Sequence, residues 1–160
     1  MKAGQLHVAL LILMTSQAGI ACDYSHARYV YSSDEAVSAR FEKLPPNTDL
    51  VSNVAMAIER KGKPPFWFIF DAGASVTSRM SETTNVGKDA WKMGATKHRS
   101  LTSLPFYGWT SSYILVNSPP QADSVAPDIL FVPDLDETLR HLPDVQFSLG
   151  QGFFKKVSCK

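Results

Sequence analysis

The chain has 160 residues, with 16 Lys and Arg against 15 Asp and Glu for a formal net charge of +1. That is the length of one domain, and so even a balance gives no electrostatic grip on nucleic acid. Apolar residues at 44% and charged residues at 19% exclude a disordered chain and predict a globular core.

The first segment has the make-up of an export signal. Lys2 supplies a positive start, Val8–Met14 a short apolar run, and small residues follow, with cleavage predicted after Ala18 or Ala21. The run is too short to span a bilayer as a permanent helix, so no membrane span is expected. An N-terminal core helix is the alternative reading of residues 1–21. With the signal removed, the protein is exported to a periplasm, cell envelope or medium. Cys22 and Cys159 are the only cysteines. In an oxidising compartment they can join the two ends of the mature chain in a disulfide. Acylation of Cys22, which would make it a lipid anchor, is the alternative. Two cysteines so far apart do not make a zinc site, and no metal or cofactor is expected.

Residues 22–49 read as a mixed N-terminal segment, with a β-like start at Tyr24, Tyr29, Val30 and Tyr31 and a turn or helix cap at Ser33-Asp34-Glu35. Pro45-Pro46 breaks the chain. A strand is predicted over Leu50–Arg60, a turn at Lys61-Gly62-Lys63-Pro64, and a strand buried on both faces over Phe66–Phe70. Asp71 ends that strand and is followed by Ala72-Gly73-Ala74-Ser75. Desolvation raises the pKa of a carboxylate at such a place, which marks Asp71 as a candidate functional group; the structural reading is an Asp that caps a turn. Lys88–Met93 predicts a short helix stopped by Gly94. Ser100–Leu104 and Trp109–Val116 predict a hairpin turning around Pro105–Gly108. Asn117–Pro127 is a Pro-rich loop, Asp128–Asp134 a strand, and Glu137–His141 a helix. His26, His98 and His141 are isolated, and Asp134 and Asp136 read as a solvated acidic loop before a cation site.

The strand, turn and strand from Val54 to Phe70, the Asp71-Ala72-Gly73-Ala74-Ser75 motif, the Asp128–Asp134 strand and the closing Phe147-Ser148-Leu149-Gly150 resemble, in that order, a retropepsin-like aspartic protease. Gln151–Lys156 is similar to the short helix that follows in that family. The likeness runs over Leu50–Lys156 and sets the protease-like domain at residues 50–160. It implies a mainly β, closed-barrel acid-protease fold with one or two short helices, and an exported endopeptidase acting on a peptide or protein substrate. Catalysis would need a homodimer, because one motif supplies one carboxylate and two must share a proton around one water. The resemblance implies that Asp71 is catalytic and that Gly73, Ala74 and Ser75 border the substrate. Tyr107, Gly108 and Trp109 would form a mobile flap, and Leu149 and Gly150 would pack beneath the Asp71 loop. Ala72 stands where the family carries Thr or Ser, and the family often adds a strand after the helix, where this chain ends at Lys160. The second reading is the same fold without activity, as a binding or structural module of the cell envelope. The third is an unrelated β-rich envelope protein in which Asp71 merely ends a strand.

Overall fold

The computed structural model describes residues 21–46, 50–71, 78–83, 103–141 and 148–160, with Asp71 and Glu82 described through their backbone. Nine strands form in chain order: β1 Ala27–Tyr31, β2 Asp34–Lys43, β3 Val54–Arg60, β4 Phe66–Asp71, β5 Ser78–Thr83, β6 Ser103–Trp109, β7 Leu115–Val116, β8 Ile129–Phe131 and β9 Phe154–Cys159. One helix, α1 Leu135–His141, lies between β8 and β9. All pairings are antiparallel. Eight strands close into a barrel in the order β5-β4-β3-β2-β1-β9-β8-β6, with β6 returning to β5 and β7 attached to β6. The expectation of a mainly β barrel is met.

The alternation of side chains builds the interior. In β1 and β2, Tyr29, Tyr31, Val37, Ala39 and Phe41 turn inward at every second position and are buried. Phe68 and Phe70 of β4, Met80 of β5, Leu104 and Phe106 of β6 and Phe154 of β9 meet them. Phe41 lies at the centre, 4.8 Å from Tyr24, 6.0 Å from Tyr29, 6.1 Å from Phe70 and 6.5 Å from Phe106 between ring centroids. A barrel of eight strands is just wide enough for its own side chains to fill it. The middle is therefore packed. Burial raises the pKa of Tyr24 and of Tyr29 far above the ordinary tyrosine value, and the Tyr29 hydroxyl donates to Pro127 O at 2.8 Å.

An up-and-down barrel sets alternate connections at opposite ends. One end carries the 32–33 turn, the 61–65 turn with Gly62 at φ 81°, and α1. Leu135, Leu139 and Leu149 are buried over this end. The other carries the 44–53 and 110–128 connections, the start of β1 and the end of β4. There the 117–127 loop lies across the barrel, held by Ser52 Oγ to Pro120 O, Ala122 N to Asn53 Oδ1 at 2.7 Å and Ala126 N to Cys22 O at 2.7 Å. Cys22 and Cys159 are disulfide-bonded at that end, with 5.7 Å between their Cα atoms. The bond leaves Cys22 no thiol to acylate.

Several expected elements take another form. Residues before Leu50 are not set apart, because β1 and β2 are two of the eight staves. Residues 105–108 do not turn: they sit inside β6. Trp109 directs its carbonyl to Asp128 N on the β8 side, and by alternation Pro105 directs its donor-less nitrogen the same way, beyond the last β8 pairing at Tyr107. The ladder loses no bond there. Gly108 is held in that strand by close packing, since a Cβ would lie 2.7 Å from Pro127 Cγ. Gly108→Ala should cost about 1–3 kcal/mol, read by urea unfolding. The segment compared with a closing helix instead enters β9, paired to β1 and β8. The helix expected at Lys88–Met93 and the signal at 1–20 lie outside the described residues.

Candidate functional site

Asp71 is the last residue of β4 and the register partner of Arg79 in β5. The Arg79 side chain is engaged with Ser103, its Nε donating to Ser103 Oγ at 2.8 Å. Gly73, Ala74 and Ser75 lie outside the described residues. Leu149 and Gly150 lie at the opposite end of the barrel from Asp71. Leu149 N donates to Asp136 Oδ1, and Gly150 O accepts the Tyr31 hydroxyl at 2.8 Å. Gly150 also sits beside Ser33 in the β1–β2 turn. Among the described residues, Asp71 thus stands apart from Leu149 and Gly150, which the resemblance placed beneath its loop. Tyr107 and Trp109 are on the outer face of β6, their rings stacked at 5.7 Å; they form no flap tip.

Asp136 serves structure. It accepts the Ser148 hydroxyl and Leu149 N and pairs with Arg140. Burial alone would raise its pKa, but the bonds from Leu149, Ser148 and Arg140 outweigh it and hold the carboxyl below its usual value. Asp128 is lowered as well, first by its hydrogen bond from Lys156 Nζ at 2.8 Å, against a smaller effect of burial, with help from Ser111 N. Groups whose folded pKa is depressed stabilise fully above the unfolded value and lose that contribution as pH falls through the folded one. Thermal stability should therefore drop as pH falls below about 4, and Asp136→Asn should flatten that limb in a melting series.

Asp23, Ser25 and His26 also converge. Ser25 Oγ is 3.1 Å and Asp23 Oδ1 2.7 Å from the same ring nitrogen, His26 Nδ1, and Ser25 donates to Asp23 at 2.8 Å. A nucleophile relay needs serine and carboxylate on opposite nitrogens of the ring. This trio instead ties a turn, with His26 N also donating to Asp23. No group of three or more metal-ligating side chains occurs among the described residues, and no helix among them is long and apolar enough to cross a membrane.

The unexplained feature is apolar and outside the barrel. Across the outer face, Trp109 of β6 is the register partner of Ile129 of β8, and Tyr107 of Phe131. Trp109 and Phe131 rings are 6.3 Å apart. With Tyr113 and Phe153 they line an open pocket of about 350 Å³. Its rim is the 110–114 turn, where Thr110 N bonds Ile114 O, Tyr113 N bonds Thr110 O, and Ile114 N bonds Thr110 Oγ1. Tyr113 takes φ 59°, a region that disfavours a bulky side chain. Tyr113 is 79% and Ile114 65% exposed. A hydrogen-bonded turn with one residue at positive φ thus leaves two large apolar side chains in solvent. Sequence reasoning singled out Tyr107 and Trp109 but missed Tyr113, Phe131 and Phe153. The signal was there in Tyr113-Ile114, two large apolar residues next to Ser111-Ser112 where a turn favours Gly or Asn.

No protein-family model, curated protein or solved structure matches this chain. The class that fold and site define is a disulfide-closed antiparallel β-barrel with a filled interior and an aromatic outer pocket.

Proposed function

We propose that this protein is an exported binding module, with the aromatic outer face of β6 and β8 as its binding surface. The observation that carries the reading is Tyr113, held at positive φ and nearly bare beside Trp109 and Phe131. Strain and exposure at one residue are unfavourable for folding and are retained where a contact outside the fold uses them. The disulfide supports export, since such bonds persist in oxidising compartments. Tyr113→Gly removes the left-handed penalty of about 1–2 kcal/mol and returns part of it as glycine's backbone entropy. The variant should be as stable as wild type or up to about 1 kcal/mol more stable. It should also lose most of the fluorescence that the native protein induces in anilinonaphthalene sulfonate. Equal probe fluorescence in the two proteins would remove the proposal.

The rival proposal is an aspartic endopeptidase with a retropepsin-like fold, active as a homodimer through Asp71. Its support is the strand-end position of Asp71 at the barrel rim. Against it stands the placement of Leu149 and Gly150 at the other end. Under this rival, wild type cleaves a denatured protein at mildly acidic pH and Asp71→Asn does not. We expect no cleavage from either.

A further inference from the structure

We infer that the outer pocket takes a free, medium-length acyl carboxylate: the chain lies on the aromatic residues and the carboxylate meets Lys155. The inference rests on the binding-module reading and adds to it the chemistry of the ligand.

The pocket wall is mostly apolar, made by Trp109, Tyr113, Ile129, Phe131 and Phe153. Its volume of about 350 Å³ falls in the range of small-ligand sites, which begins near about 300 Å³. Such sites fix orientation with a few placed polar groups. Here the strand register supplies one. Lys155 of β9 is the partner of Ile129, which is the partner of Trp109, so Lys155, Ile129 and Trp109 form one row across three strands. Adjacent strands lie about 4.8 Å apart, and the four-carbon stem of lysine lets its ammonium stand over the pocket edge. Lys155 is exposed, and no acidic side chain pairs with it among the described residues. The next lysine differs: Lys156 is spent on Asp128 and on Ala126 O. An apolar trough with one unpaired cation at its margin complements an amphipathic anion.

The size of the face decides against larger occupants. The exposed parts of Tyr113, Ile114, Leu115, Phe131 and Phe153 come to about 520 Å², taking about 200 Å² for each large side chain, with a smaller share from the half-buried Tyr107, Trp109 and Ile129. A stable dimer needs about 800 Å² from each partner. The patch is too small for a second copy to be held on it alone.

The test uses the full mature chain and the neutral fluorescent probe N-phenyl-1-naphthylamine, displaced by decanoate or by decanol below their self-association limits. Wild type should release the probe to both. Lys155→Gln should weaken decanoate about three- to fivefold and leave decanol within twofold; Lys155→Glu should weaken decanoate further, and 0.5 M salt should shrink the difference. Tyr113→Ser and Phe131→Ser should weaken both competitors alike. If both compete but Lys155→Gln changes neither, or changes both equally, the carboxylate assignment is overturned and the binding face stands. If neither competes, the binding face itself is overturned. Sedimentation of a dimer that Phe131→Ser dissociates would assign the face to a second copy, and flotation with anionic vesicles without decanoate competition would assign it to a bilayer; either overturns the inference.

Discussion

Replacing both Cys22 and Cys159 by serine should remove about 4–5 kcal/mol of stability by the chain-entropy account. The bond closes a loop with a sequence separation of 137, nearly the whole described chain, so the unfolded state it restricts is as large as this protein allows. In the native state it asks little. Ala27 of β1 is already the register partner of Cys159, and Asp23 bridges to Val125, so the cysteine Cα atoms stand within the usual span without moving the barrel. The variant's urea midpoint should fall and its m-value rise, because the unlinked unfolded chain exposes more surface. A loss under about 1 kcal/mol would mean that the denatured chain keeps its ends together without the bond.

Phe41→Ala should cost about 3–5 kcal/mol. Phe41 is 1% exposed and touches rings from four other segments: Tyr24 before β1, Tyr29 in β1, Phe70 in β4 and Phe106 in β6. Closed strands on every side cannot collapse into the space it leaves, so the cavity should persist. The contrast lies on the outside of the same barrel. Phe131, at 38% exposure, should lose only about 1–2 kcal/mol on replacement by serine while losing ligand. Two phenylalanines of the same size then separate packing from binding. Comparable destabilisation at both would show that the outer aromatics belong to the fold.

The strands with the strongest pattern were legible. Phe66–Phe70 read as a buried strand because five large apolar residues in a row have no other economical place, and β4 runs from Phe66 to Asp71. The Asp128–Asp134 strand and the Glu137–His141 helix correspond to β8 and α1. β2 was not legible. Its inward residues Val37, Ala39 and Phe41 alternate with Ser38 and Arg40, but Ser33-Asp34-Glu35 in front of them also fits a helix start, and only pairing to β1 and β3 decides. The hairpin at Pro105–Gly108 misled for a related reason. Pro and Gly mark turns by their own backbones, whereas here a bare strand edge accommodates Pro105 and the packing of Pro127 demands Gly108. The site was the least visible. Asp71 and Leu149-Gly150 matched family motifs in sequence order, yet order along the chain does not say which end of an up-and-down barrel a residue reaches. The outer pocket joins residues from three separate stretches, and nothing local announces that they share a face.

The most direct check on the outer face is a residue-resolved amide spectrum of the disulfide-bonded protein recorded as decanoate is added. The account predicts progressive shifts concentrated on Trp109, Tyr113, Ile129, Phe131, Phe153 and Lys155, with strands β2 to β4 on the far side of the barrel unmoved. Shifts gathered instead around Asp71 and Arg79, or none at saturating ligand, would contradict it.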